Sequence, residues 1–302
     1  MLPGLVDCHT HLVADATVGG LERAGTVADQ ALDDVIESSL RAHARAGVTT
    51  VRDLGDRRYR TLRFRHCDGL PRVVASGPPL TTPGGHCHFL GGVVSGDARA
   101  AVAEHAEHGV DVIKVMASGG FATPDSDCTS PVSPPTAHVS TTRCSTRWRA
   151  EACTSTSPWA MTAPWHARMP APPPPLAALM ATLGVTSVDA FYRSRMGVLS
   201  RLREHGVTVV CGVDSGMAPP KAHGNAWRTV AEMVEAGYET ADALAAATSV
   251  AAQACGLGST TGRLAAGYAA DLLLVDGDLA SDVSLLGMPR EVVVRGARVG
   301  PA

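Results

Sequence analysis

Residues 5–12 read LVDCHTHL. Leu5, Val6 and Leu12 surround two histidines placed one residue apart, and Pro3-Gly4 precede them. The run has no helical spacing and reads as a strand. In a strand, residues two apart point the same way, so Asp7, His9 and His11 are expected to share one face. Two imidazoles aimed at one point form a metal chelate, and a carboxylate beside them can orient the rings. A chance pair near a chain terminus is the competing explanation, and the rest of the sequence has to choose between them.

The bulk numbers narrow the classes. The chain has 302 residues and a formal net charge of -3, with a sequence pI near 6.4. No basic stripe points to nucleic acid and no charge block to an interaction tail. No apolar run is long enough to span a bilayer, and no secretion signal is expected, since the opening residues lack a basic segment followed by an apolar one. The eight cysteines lack paired short spacings; they are expected as thiols of a cytoplasmic protein, with Cys8 and Cys87 packing beside histidines.

Three stretches share one pattern: ARAGVTTVRDLG (44–55), AEHGVDVIKVMASGG (106–120) and REHGVTVVCGVDSG (203–216). Each has the end of a helix, a glycine stop (Gly47, Gly109, Gly206), a β-branched run and a charged residue at its end (Asp53, Lys114, Asp214). Glycine adopts the left-handed conformation of a helix stop without steric cost. RVVASG (72–77) reads as a further strand. Helices are expected over 27–46, 97–108, 189–205, 225–236 and 240–254. Repeated units of this kind predict a (β/α)8 TIM-like barrel, with chemistry at the carboxyl ends of its strands. An open doubly wound sheet would carry a glycine-rich phosphate loop after a strand, and none is present. The tail, ADLLLVDGDL and EVVVRGARVG, predicts two strands of a small β-structure over 256–302, appended to a barrel over 1–255.

Lys114 lies in DVIKVM, which a barrel would bury on both faces. A buried ammonium needs a partner, and burial lowers its pKa. It is read either as an amine that takes up carbon dioxide to become a bridging carbamate, or as a cation paired with Asp53, Asp214 or a substrate acid. Asp214 is read as a metal ligand that also accepts a proton, or as a cap of the segment after it. The loop TTPGGHCHFLGG (81–92) overhangs a strand end and offers His86 for substrate contact; a solvated loop histidine is the alternative. His223, in PPKAHGN, has the same two readings.

LPGLVDCHTHL, TTVRDLG, LTTPGGHCH, DVIKVMASGG, GVDSG and TGRLAAGYAADLLLVDGD occur in this order. Together the set resembles the metal-dependent amidohydrolase superfamily, nearest the branch holding imidazolonepropionase-like and prolidase-like hydrolases. The resemblance covers roughly residues 1–125 and 180–300. It implies a barrel with a small β-sandwich and a centre of one or two divalent ions, zinc first, with manganese or iron as alternatives. It implies metal-activated hydroxide attacking an amide or related carbonyl of a small molecule, such as a dipeptide with a proline or basic end. His9 and His11 would be ligands from the first strand, Lys114 the bridging carboxylated lysine, and Asp214 a ligand and proton shuttle. Asp7 and Asp53 would support them.

Two departures from the family pattern stand out. The pattern needs two more histidines, on a fifth and a sixth strand, between Gly120 and about Leu183. Residues 128–175 contain no leucine or isoleucine, and eleven of the chain's twenty prolines fall between Pro124 and Pro175. Neither helical nor strand periodicity survives there, and the barrel is expected to be incomplete around strands 5 and 6. His138, in PTAHVS, and then His166 are the remaining candidate ligands. One hypothesis is that this block is translated out of frame relative to its relatives, or is a replacement of the barrel's fifth and sixth units. The barrel motif also begins at residue 3, without the strands that pair with the tail in the family, so an unpaired tail edge is expected. The alternative function is therefore a catalytically impaired homologue that binds a metal or ligand.

Overall fold

A computed structural model of the chain describes residues 1–116, 152–155, 177, 181 and 186–300. His138 and His166 lie outside the described residues. Strand β1 (Leu2–Pro3) leads directly into β2 (Leu5–Thr10). Leu5, Val6, Asp7 and Cys8 are fully buried, as in a parallel strand covered on both faces. Gly4 separates the two strands because a Cβ there would lie 2.2 Å from the Thr49 side chain.

Helix α1 (Gly20–Ala24) and helix α2 (Asp29–Arg45) follow. On α2, Leu32, Ile36, Leu40 and Ala44 recur every four residues and enter the main core with Leu5, Val48, Val51 and Val73. That spacing puts them on one helical face. Strands β3 (Val48–Asp53) and β4 (Arg72–Ala75) come next, then helix α3 (Ala98–Glu107). Strand β5 (Ala152–Ser155), helix α4 (Val188–Glu204), strand β6 (Val209–Gly212) and helix α5 (Ala226–Glu235) continue the alternation. Helices α6 (Thr240–Ala246) and α7 (Ser249–Ala254) precede three short strands, β7 (Leu272–Leu274), β8 (Glu291–Val294) and β9 (Ala297–Val299). No helix among the described residues is long and apolar enough to cross a membrane.

Strands β2, β3 and β4 form a parallel sheet in that order, and β5 pairs in parallel with β6. A parallel bridge between Thr10 and Ser215 joins the end of β2 to the segment after β6. The last parallel strand therefore lies beside the first, the adjacency that a TIM-like arrangement requires. Among the described residues the ring is not closed, so the α/β architecture is present without a complete barrel. The three glycine stops have the expected positive φ: 84° at Gly47, 73° at Gly109 and 64° at Gly206.

Four expectations need correction. The block 128–175 contains a strand, β5, that its sequence does not announce; its pairing runs through the backbone of β6 and needs no side-chain pattern. The helix expected over 240–254 is two helices, because the carbonyl of Ala247 accepts the amide of Val6 at 2.8 Å and leaves the helical ladder. The tail edge is covered: β1 pairs antiparallel with β7, Leu2 opposite Leu273, and the second tail strand is a hairpin, β8 and β9, turning at Arg295 and Gly296 with φ of 49° and 85°. Two successive positive φ values match the twist of the flanking strands.

Around Lys114 the ladder is intermittent rather than a fully enclosed strand. Asp111 donates to Ala75 at 2.9 Å and Leu80 to Lys114 at 2.8 Å, with one bridge pair, Leu80–Val115. Pro78 and Pro79 lie between and have no amide to donate. Val115 is 60% exposed and Lys114 is half-buried.

The buried face of α2 gives a direct test. Leu40→Ala should lower unfolding free energy by about 3 kcal/mol, read as a shift in the guanidinium midpoint. Glu37→Ala, which removes an exposed pair with Arg41, should cost about 0.5 kcal/mol or less.

Candidate metal centre

The strand ends bring three donors together. Single ligand atoms of His9, His11 and Asp214 all lie within 4.8 Å of one another. His9 Nε2 is 3.5 Å and His11 Nε2 3.0 Å from the same oxygen, Asp214 Oδ1. Backbone pairing creates this convergence. The Asp214 amide donates to the His9 carbonyl at 2.7 Å, and the His11 amide donates to the Ser215 carbonyl at 2.9 Å. Asp214 itself has φ of 59°, a left-handed conformation that aspartate tolerates better than most residues.

Asp7 supports the seam from below. Its Oδ1 accepts the amides of His9 at 3.1 Å and Val213 at 3.0 Å, and its Oδ2 accepts the Ser215 hydroxyl at 3.1 Å. Burial pushes its carboxyl up to about 7. Asp53, at the end of β3, accepts the Leu12 amide at 2.9 Å and so anchors the residue after His11. Burial, with Asp56 beside it, pushes Asp53 up to about 8.

The second oxygen of Asp214 accepts a hydrogen bond from the ammonium of Lys221, a side chain only 2% exposed. Burial acts to raise the Asp214 carboxyl; Lys221 and the two imidazoles overcome it and hold the group well below its ordinary 3.8. Burial lowers His9 well below 6.5, against the attraction of Asp214 and together with repulsion from His11, Lys114 and Lys221. His9 is thus neutral at pH 7, the form that offers a lone pair to a cation. His11 Nδ1 is buried without a hydrogen-bond partner among the described residues. Two imidazoles and an ionised carboxylate, partly exposed at Asp214 (19%) and His9 (16%), form a donor set that fits a divalent ion such as zinc.

Lys114 sits close enough for its charge to lower His9, His86 and Cys87. The ion-pair partners of Asp214 among the described residues are His9, His11 and Lys221, not Lys114. His86 is half-buried, and burial followed by the charges of His11 and Lys114 lowers it to about 4. It is carried by a loop pinned at its neck, where Thr81 donates to Gly92 at 2.9 Å and Val94 to Thr81 at 2.8 Å.

His223 lies elsewhere. Its Nε2 faces the Ala14 carbonyl at 2.8 Å and its Nδ1 faces His43 Nε2 at 3.1 Å. The Gly224 amide donates to His43 Nδ1 at 3.2 Å, so the hydrogen of His43 sits on Nε2, which faces His223 Nδ1 at 3.1 Å and the Thr10 hydroxyl at 3.3 Å. Both rings are neutral members of one chain of donors, and neither nitrogen of His223 is left for a substrate.

Sequence reasoning passed over Lys221, two residues before the His223 it singled out. A signal was available. The chain has 24 arginines and only two lysines, Lys114 and Lys221, and both ammonium groups act on His9.

The sequence model of the amidohydrolase family matches residues 1–130 and 179–299. No curated protein matches the chain. Solved structures similar in fold include a prolidase complexed with N-methylphosphonate-L-proline, 22% identical with a TM-score of 0.71 over 100% of this chain and 87% of that one. A Xaa-Pro dipeptidase with bound methionine in the active site is 18% identical, with a TM-score of 0.67 over 98% and 86%. The ochratoxinase of A. niger is 19% identical, with a TM-score of 0.66 over 100% and 83%. At these identities the likeness is one of fold.

The buried histidine pair fixes a pH dependence. Burial pushes His223 down to about 4 and His43 well below 6.5. Between pH 4 and 6.5 the unfolded chain therefore binds more protons, so stability rises with pH across that window and is lost as pH falls. His223→Gln should flatten the profile, reducing the loss between pH 6.5 and 4.5 by about 2 kcal/mol; denaturant titrations at several pH values would measure it.

Proposed function

Because this chain belongs to the amidohydrolase family, we propose that it hydrolyses an amide-type carbon–nitrogen bond of a small molecule at the His9–His11–Asp214 cluster. The observation that carries this reading is the convergence of two imidazole nitrogens and one carboxylate oxygen within 4.8 Å. Strand ends 200 residues apart in sequence supply the donors, at the end of the parallel strands where this fold class keeps its chemistry. His9, His11 and Asp214 would hold a divalent cation. When bound, that cation supplies Lewis acidity toward a carbonyl oxygen and toward water.

The remaining steps belong to the chain's own residues. Asp214, kept ionised by its neighbours, accepts a proton from the attacking water at a carboxylate oxygen and hands it to the leaving nitrogen. Water adds to the carbonyl carbon, the carbon–nitrogen bond breaks, and an acid and an amine result. Asp7 and Asp53 hold the amides of His9 and Leu12, so the two imidazoles keep their directions while the substrate changes. Lys114 lies near enough to act on His9; its neutral amine, adding carbon dioxide with loss of a proton, would form a carbamate and so a further anionic ligand. His86, neutral and half-buried on the loop beside it, is suited to hydrogen-bond the polar end of the substrate.

Dipeptides ending in proline are the first substrates to test, since fold neighbours include a prolidase with a phosphonate analogue of a proline peptide and a Xaa-Pro dipeptidase. Chelation should abolish hydrolysis of the preferred dipeptide, and a divalent ion should restore it. Asp214→Asn should lower kcat/KM by about 100-fold or more, measured by mass-spectrometric product analysis over a dipeptide and N-acyl amino acid library. Absence of both metal uptake and hydrolysis across that library would favour a homologue without activity.

A further inference from the structure

The Asp214 carboxylate is divided between two clients. Its Oδ1 faces both imidazoles, and its Oδ2 faces the Lys221 ammonium. Lys221 is among the largest fully buried side chains of the chain. It is held by the short 3-10 turn Pro219–Lys221, whose carbonyl accepts the Gly216 amide at 2.8 Å. That hydrogen bond ties the turn to the residue two beyond Asp214, so the ammonium is fixed in place and does not reach in from solvent. A lysine offers one compact charge where arginine would offer a broad fork, and Lys114 is the other lysine of a chain with 24 arginines.

Burial lowers the Lys221 ammonium; among the described residues, Asp214 and Asp7 hold it up against that burial and against Arg195, and Lys114 lies on the His9 side. A divalent ion added beside His9 and His11 meets a fixed positive charge on the far oxygen of its only carboxylate ligand among the described residues. Like charges a few ångströms apart in a buried setting repel strongly. We propose that Lys221 is a built-in counter-ion of Asp214, a positioning residue that keeps Oδ1 turned to the imidazoles, stabilises the site when no metal is bound, and weakens its hold on a divalent cation. This rests on the metal-centre reading above and names the residue that sets its affinity.

The experiment compares full-length wild type with Lys221→Met, Lys221→Gln and Lys221→Arg, all stripped with a chelator. Zinc and manganese are titrated by calorimetry with a competing chelator, and thermal midpoints of the metal-free proteins are recorded. Lys221→Met should bind each ion at least tenfold more tightly while its metal-free form melts below wild type. Lys221→Gln, which keeps a donor for Oδ2 without the charge, should shift affinity in the same direction and serves if the methionine variant does not fold. Lys221→Arg, which keeps the charge, should stay nearer to wild type. A merely structural lysine would give weaker or unchanged binding in the neutral variants, and that result overturns the proposal alone. No metal binding by any of the four proteins would overturn the metal-centre reading and this inference with it.

Discussion

The amide of Asp214 donates to the carbonyl of His9 at 2.7 Å, and the amide of His11 donates to Ser215 at 2.9 Å. These two backbone hydrogen bonds join the start of the chain to its last parallel strand, and the candidate centre depends on them. Asp7 adds a second fastening, because one buried carboxylate receives donors from both sides of the seam. A carboxylate taken out of water is costly unless its oxygens are satisfied. Here three donors offset part of that cost, which ties the geometry of the candidate ligands to the stability of the fold.

Close packing at this seam leaves little freedom for substitution. A Cβ on Gly216 would lie 2.5 Å from the His11 carbonyl, and its φ is 99°. A Cβ on Gly55 would approach His11 Nδ1 to 3.3 Å. The imidazoles are held by what surrounds them on three sides: the Asp7 seam, the Asp53 anchor at Leu12 and the glycine turns. Preorganisation of this sort lets a site present its nitrogens and an ionised oxygen without rearranging. The electrostatics agree with it. Burial keeps His9 neutral, while the Lys221 ammonium and the hydrogen bond from His11 keep Asp214 ionised.

Most of the scaffold was legible from local rules. Helix stops at Gly47, Gly109 and Gly206 carry a chemical requirement, positive φ, that glycine alone meets cheaply. The amphipathic run of α2 and the apolar run of β2 likewise show their burial in their composition. The misreadings share one cause, a backbone group whose partner is remote. The 240–254 helix breaks because Ala247 bonds to Val6. Strand β5 exists because β6 offers a ladder. The tail edge is covered because Leu2 and Pro3 reach Leu273 and Leu272. In each case the side chains of the affected segment carry no record of the bond.

The sequence by itself determined the type of fold, the succession of helices and strands, and the residues at the strand ends that could hold a cation. These follow from short-range periodicity and from the chemistry of individual side chains. Only the tertiary structure decided which of those groups meet. It turned His9, His11 and Asp214 toward one point, drew His223 away into a pair with His43, and set the buried ammonium of Lys221 on the far oxygen of Asp214. A charge or a ring nitrogen acts over a few ångströms in any direction, and which residues lie within that distance is fixed by strand pairing between segments 200 residues apart.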